Sequence, residues 1–226
     1  MVRLVSVILA VFWAVAVAAQ PMRVPPVDEA PNDPEFAAFR QALLDAVVAR
    51  DIDAILSMTD ETVQLSFGLD SGHDTFVQMM TVPEETLAEE YRHEAPALRE
   101  AYWAALETTL RLGGAFKQGG TEFIAPYLFT LELPGVDDPF AVYWILGENV
   151  PLRNRPIRWA AELARLNWDV VTRVEGAEGS GFYAIETSDG MRGFVDADHA
   201  RALVDYRAIF SKQSGAWKLI FFLAGD

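Results

Sequence analysis

The residues able to do chemistry are few, and most are neighbours in sequence. Glu89, Glu90, His93 and Glu94 lie close together, and Glu90 and His93 are three apart, so on a helix both could face one metal ion. A di-metal bundle site needs two such motifs and the chain has one, so this segment reads as a solvated helix face. Ser71, Gly72, His73 and Asp74 bring hydrolase-type side chains together, but triad members converge from separate segments. No Gly-x-Ser-x-Gly elbow is present either, so a surface turn is expected. His199 follows Asp196 and Asp198 in a polar loop. With 3 histidines and no cysteine, acid–base and metal options are thin, and disulfides and thiolate chemistry are excluded. No phosphate-cradling or dinucleotide-binding glycine pattern occurs. Neither a catalytic set, a metal site nor a cofactor is expected.

Aromatic and guanidinium groups carry more information. Trp159, Trp168, Phe182 and Tyr183 fall within one short β-rich stretch and compete for a small core. Phe182 and Tyr183 are adjacent, so on a strand they point to opposite faces. Trp168 precedes Asp169 in a turn, where folding does not need a large apolar ring. Exposed flat rings stack on sugars or peptides, and Arg153 or Arg155 could pair with a carboxylate. The candidate ligand-binding residues are therefore Trp168, Tyr183, Arg153, Arg155 and Trp159. Packing of these rings against the rest of the protein is the alternative.

The elements that must position them fall into two regions. Residues 20–33 contain Pro21, Pro25, Pro26 and Pro31 and read as an extended linker. Asp33 or Pro34 opens a helix with Phe36, Phe39, Leu43 and Val47 on one face. A short helix from Asp51 follows, with Ile52, Ile55 and Leu56 inward. Next comes a strand over 62–67, with Val63, Leu65 and Phe67 on one side, and a helical turn over 75–80. Residues 83–112 are rich in Ala, Leu and Glu, and Pro96 divides them into helices over 83–93 and 96–112. Gly113-Gly114 ends the second. The run 123–133 holds Pro126 and is an edge strand or a buried connection. From Phe140 the pattern becomes short β-type runs, including a hairpin turning at Ser188-Asp189-Gly190. Residues 205–226 form a terminal hairpin. The fold class is α+β: a mainly helical domain over 34–146, completed by hairpin 205–226, plus a small five-stranded barrel over 147–203.

Charge and the N-terminus bound the setting. The formal net charge is -15, and residues 20–146 alone carry 22 acidic against 7 basic side chains. Such a surface repels nucleic acid and anionic lipid. Residues 1–19 have Arg3, then an apolar run, then small residues at 17–19, the pattern of a secretory signal cleaved before Gln20. An uncleaved anchor is the alternative reading. The mature chain is expected in the periplasm or secreted, with no span after cleavage.

Several motifs of the β-rich region resemble the bacterial SH3 (SH3b) domain family. They are Val150 and Arg153, Pro156, Leu163 and Leu166, Asp169-Val170-Val171, Phe182-Tyr183-Ala184-Ile185, Asp189-Gly190 and Gly193-Phe194-Val195, in the family's order. The chain departs at Arg155, where many members have glycine, and at Phe194, where tryptophan is usual. The whole chain resembles a group of exported bacterial SH3-domain-containing proteins without an assigned activity. That likeness is carried by Phe67-Gly68, Gly113-Gly114-Ala115-Phe116, Ala125-Pro126-Tyr127 and the final Gly225-Asp226. The resemblance implies an SH3-like barrel in a non-catalytic cell-envelope protein that binds peptidoglycan or a protein partner. The alternative is an enzyme or small-ligand carrier with a pocket lined by Phe67, Trp103 and Tyr127. A purely structural barrel is a third reading.

Overall fold

The computed structural model describes residues 21–177, 179–213 and 215–225; the export signal read in residues 1–19 lies outside them. In chain order the elements are α1 (Pro34–Ala49), α2 (Ile52–Ser57), β1 (Thr59–Gln64), α3 (His73–Thr81), α4 (Ala95–Arg111), β2 (Ala115–Lys117) and β3 (Glu122–Ala125). Then follow β4 (Val142–Ile145), β5 (Val150–Arg153), β6 (Glu162–Leu166), β7 (Val170–Arg173), β8 (Phe182–Glu186), β9 (Arg192–Asp196) and β10 (Ala200–Ala202). The chain closes with β11 (Arg207–Gln213) and β12 (Ala216–Leu223). The class is α+β, with two sheets. No described helix is long and apolar enough to cross a membrane.

The first sheet has the order β1-β12-β11-β3-β2. Asp33 caps α1 by accepting the Glu35 and Phe36 amides at 2.9 and 3.1 Å. That fixes the helix start and turns Phe36 inward, where its ring meets those of Phe123, Phe210 and Trp217 at 4.3, 5.5 and 4.7 Å. The terminal hairpin supplies the centre of the sheet. β12 runs parallel to β1, pairing Leu219 with Thr59, and β11 runs antiparallel to β3, pairing Phe210 with Phe123. The core of this layer joins helix residues Leu43, Phe76 and Leu106 to hairpin residues Ala208, Phe210, Leu219 and Phe222.

Two expectations for this region change, one helical and one for a strand. Residues 83–93 form no α-helix but two 3-10 turns, Glu84–Thr86 and Glu89–Glu94, which bury no side chain. Glu84, Glu85, Glu89, Glu90 and Glu94 repel one another there, and helix propensity alone does not hold so short a segment without an apolar face to pack. Phe67 lies past the end of β1 and is 61% exposed, while Val63 is fully buried.

The second sheet has seven strands in the order β10-β4-β7-β8-β9-β5-β6. It is open: among the described residues β6 and β10 are its edges and no ladder joins them. The expected five-stranded closed barrel is corrected on both counts. Seven strands stand where five were expected, and one of them, β4, lies before the expected boundary at residue 147 and is buried on both sides. Tyr143 and Ile145 face the core inside the sheet, and Val142 and Trp144 face the first layer. Where β9 crosses β5, Gly193 is required: a Cβ there would lie 2.8 Å from both the Arg153 carbonyl oxygen and the Leu152 side chain.

The proline-rich segment is a strap rather than a free linker. Val24 donates to the Trp168 carbonyl at 2.9 Å and Met22 accepts from Val170 at 2.8 Å, strand-fashion. Further on, Gly114 donates to Val27 and Glu29 donates to Gly114, each at 2.9 Å. Asp28 receives both terminal nitrogens of Arg40 at 2.7 and 2.6 Å. The strap thus grips both sheets. Between them lies a third apolar cluster of Val24, Leu128, Val142, Trp144 and Leu203.

Candidate ligand-binding surface

The five candidate residues do not form one site. Trp168 sits in the left-handed region at φ 56, which turns its half-buried ring onto Trp144, 5.9 Å away. Its amide donates to Gly147 and its carbonyl accepts from the strap, each at 2.9 Å. Strap and ring together cover Trp144, whose indole nitrogen donates to the Val24 carbonyl at 2.9 Å. At Trp168 the structure takes the packing alternative: the strap gives that ring an apolar partner. Trp144, which holds the two layers together, carried no signal of its own in a strand of apolar residues.

Tyr183, on β8, is 36% exposed and stacks on Tyr143 at 4.4 Å with an interplanar angle of 22°. Burial pushes the Tyr143 phenol up, and Arg173 pulls it partly back. Phe182 is the inward member of its pair, as alternation requires.

Arg153 ends β5, and Arg155 and Trp159 belong to the loop between β5 and β6. Arg153 closes its base, donating to the Ala160 carbonyl at 2.9 Å with Glu162 at 3.8 Å. Asn154 donates to Ala161 at 3.1 Å and Ala160 to Ile157 at 3.1 Å, so the backbone bends back on itself and Ala160 is buried. Trp159 is thereby left outside, 83% exposed. An aromatic side chain covers about 150–250 Å2 when buried, so an uncovered indole forgoes on the order of 4–6 kcal/mol of transfer free energy. Beside it, Arg158 is held by Asp196 at 2.9 Å and Asp198 at 3.5 Å. Arg155 is exposed and has no side-chain partner among the described residues. A groove of about 310 Å3 lies at the loop's foot, lined by Val150, Pro151, Arg153, Arg158, Asp198 and His199 among others. This surface offers a flat apolar face and guanidinium groups, able to stack on a ring and to pair with a carboxylate.

The other reactive-looking groups stay apart. His73 opens α3 with Nε2 3.3 Å from the Thr59 carbonyl. His93 lies on an exposed 3-10 turn, 3.9 Å from Glu94. No group of three metal-ligating side chains forms among the described residues. Phe67, Trp103 and Tyr127 do not share a described cavity. Trp103 is buried under Arg50, Phe67 lies against Arg207 at 5.2 Å, and Tyr127 packs in the cluster between the sheets.

No family model, curated protein or solved structure matches this chain. The class the coordinates define is therefore a structural one: an α+β protein whose second, antiparallel sheet carries an aromatic and basic loop on its surface.

Proposed function

We propose that the protein is a non-catalytic, exported cell-envelope protein that binds peptidoglycan or a protein partner through its SH3-like second sheet. The β5–β6 loop is the contact surface. The observation that carries this reading is Trp159, an indole 83% exposed on a loop tied down by its own backbone and by Arg153. A ring that no core needs, carried on a loop whose backbone is already hydrogen-bonded, costs little backbone ordering entropy on binding. Arg155 supplies a cation for a carboxylate of a peptide. The three histidines lie on separate elements, which favours binding over acid–base turnover.

Cosedimentation with purified peptidoglycan sacculi tests the reading. The intact protein is expected in the pellet, and Trp159→Ala and Arg155→Ala in the supernatant with unchanged melting temperature. Equal pelleting of Trp159→Ala and wild type overturns the loop as the contact surface. Absence of the wild type from the pellet overturns peptidoglycan as the ligand.

A further inference from the structure

The open edge of the second sheet holds a second, independent site. β6 pairs with β5 through Val150–Leu166, Pro151–Arg165 and Leu152–Ala164. Pro151 has no N–H, so its pair with Arg165 cannot exchange hydrogen bonds; the ladder bonds fall on the pairs either side. The Arg165 N–H and C=O therefore point away from β5, and no described strand takes them. A groove of about 280 Å3 opens at this position, walled by Ala164, Arg165 and Leu166, by Pro21 and Arg23 of the strap, and by Thr187, Asp189 and Met191 of the β8–β9 turn.

The charges in this groove are unequally available. The Arg165 guanidinium is already held by Glu162 at 2.7 Å and the Asn149 carbonyl at 3.1 Å. Asp169, with only 7% of its side chain exposed, takes the Asn167 amide on Oδ2, while its Oδ1 has a single long contact, 3.4 Å, to Arg23. Asp189 is exposed, and a hydrogen bond from Thr187 keeps its carboxyl below the usual range and so ionised. What remains on offer is a backbone donor and acceptor, a small apolar floor and the Asp189 carboxylate, with Asp169 already paired to Arg23.

We infer that this groove binds an extended, lysine-bearing peptide segment. It pairs by main chain with Arg165 and sets its ammonium group toward the exposed Asp189. An extended peptide supplies reciprocal N–H and C=O groups for the edge, and Asp189, the carboxylate with no ion-pair partner among the described residues, favours an ammonium group. The strap already makes the same kind of strand contact to residues 168–170, one wall away.

The test is a 1H–15N NMR titration of the purified protein with acetyl-Ala-Val-Lys-Val-Ala-amide. Two control peptides are used: one with N-methylated valines, the other with norleucine in place of lysine. The expected result is a shift of the Arg165 amide, with affinity falling about tenfold for either control, the scale of one or two lost hydrogen bonds. Asp189→Asn should reproduce the norleucine result while leaving the spectrum elsewhere unchanged. Equal binding of the N-methylated peptide, shifts confined to the Trp159 loop, or no shift up to the solubility limit of the peptide each overturn the inference. So does a concentration-dependent Arg165 shift without peptide, which assigns the edge to a second copy of the chain. Trp159→Ala is expected to leave this titration intact, so failure here and failure of sacculus binding are separate results.

Discussion

Trp159 and Trp168 show how two indoles nine positions apart acquire opposite roles. Trp159 follows a loop whose hydrogen bonds bury Ala160 and leave the ring in water. Trp168 is turned inward by a left-handed backbone and a strap overhead. Substituting Trp159 by Ala should change stability by no more than about 0.5 kcal/mol, as at other surface positions. Trp168→Ala should cost about 2–4 kcal/mol, because it uncovers Trp144. Urea denaturation of the two variants distinguishes these. The sequence pointed to both rings, but it could not say which one would find a partner, since that partner lies 24 positions away at Trp144. Tyr206 gives a pH signature. Burial is the main cause that pushes its phenol well above the ordinary tyrosine range, with Tyr102 and Asp205 adding to it. A group raised on folding contributes stability that is intact below the unfolded value, about pH 10, and is lost as pH climbs toward the folded value. Tyr206→Phe should remove that part of the alkaline loss, read from melting temperatures between neutral and strongly alkaline pH.

At the scale of elements, local signals and long-range ones part company. The α1 start was legible because Asp33-Pro34 is a local capping pattern with an apolar period behind it. The glutamate-rich turns after Pro83 were misread because propensity is local, whereas helix survival there depends on an apolar face that the segment lacks. The strap was hidden for the converse reason: its prolines say extended, and its partners are two separate sheets. Gly114 is the fulcrum of that contact. A Cβ at this position would lie 2.3 Å from the Ile124 carbonyl oxygen, backbone that cannot yield cheaply. Gly114→Ala should therefore destabilise by roughly 2–3 kcal/mol through overpacking, measured by urea unfolding. Gly179→Ala, with nothing within 4 Å of the added Cβ, should cost less and only through its positive φ.

The whole molecule is held by its ends. The strap joins both sheets, and β11–β12 complete the first sheet, bringing Ala208, Phe210, Trp217, Leu219 and Phe222 into a core whose other buried residues all precede 126. Between the layers Arg201 is 6% exposed, ion-paired to Asp205 at 3.1 Å and bonded to the Tyr206 carbonyl. Burial depresses its basicity, and Asp205 partly restores it. Truncation after Leu203 should abolish cooperative unfolding of the first layer, since β1 loses its partner and the core its floor; a preserved transition in circular dichroism would contradict that. On this frame the β5–β6 loop lies at the surface, closed by its own backbone hydrogen bonds and by Arg153. The most direct measurement is the 1H–15N spectrum of the indole groups of Trp103, Trp144, Trp159, Trp168 and Trp217, those of the chain from Gln20 onward, during addition of solubilised peptidoglycan fragments. The Trp159 indole cross-peak is predicted to shift in a saturable way while those of Trp144 and Trp217 stay fixed. A saturable shift of other indoles with Trp159 unmoved, or no shift at all, would contradict it.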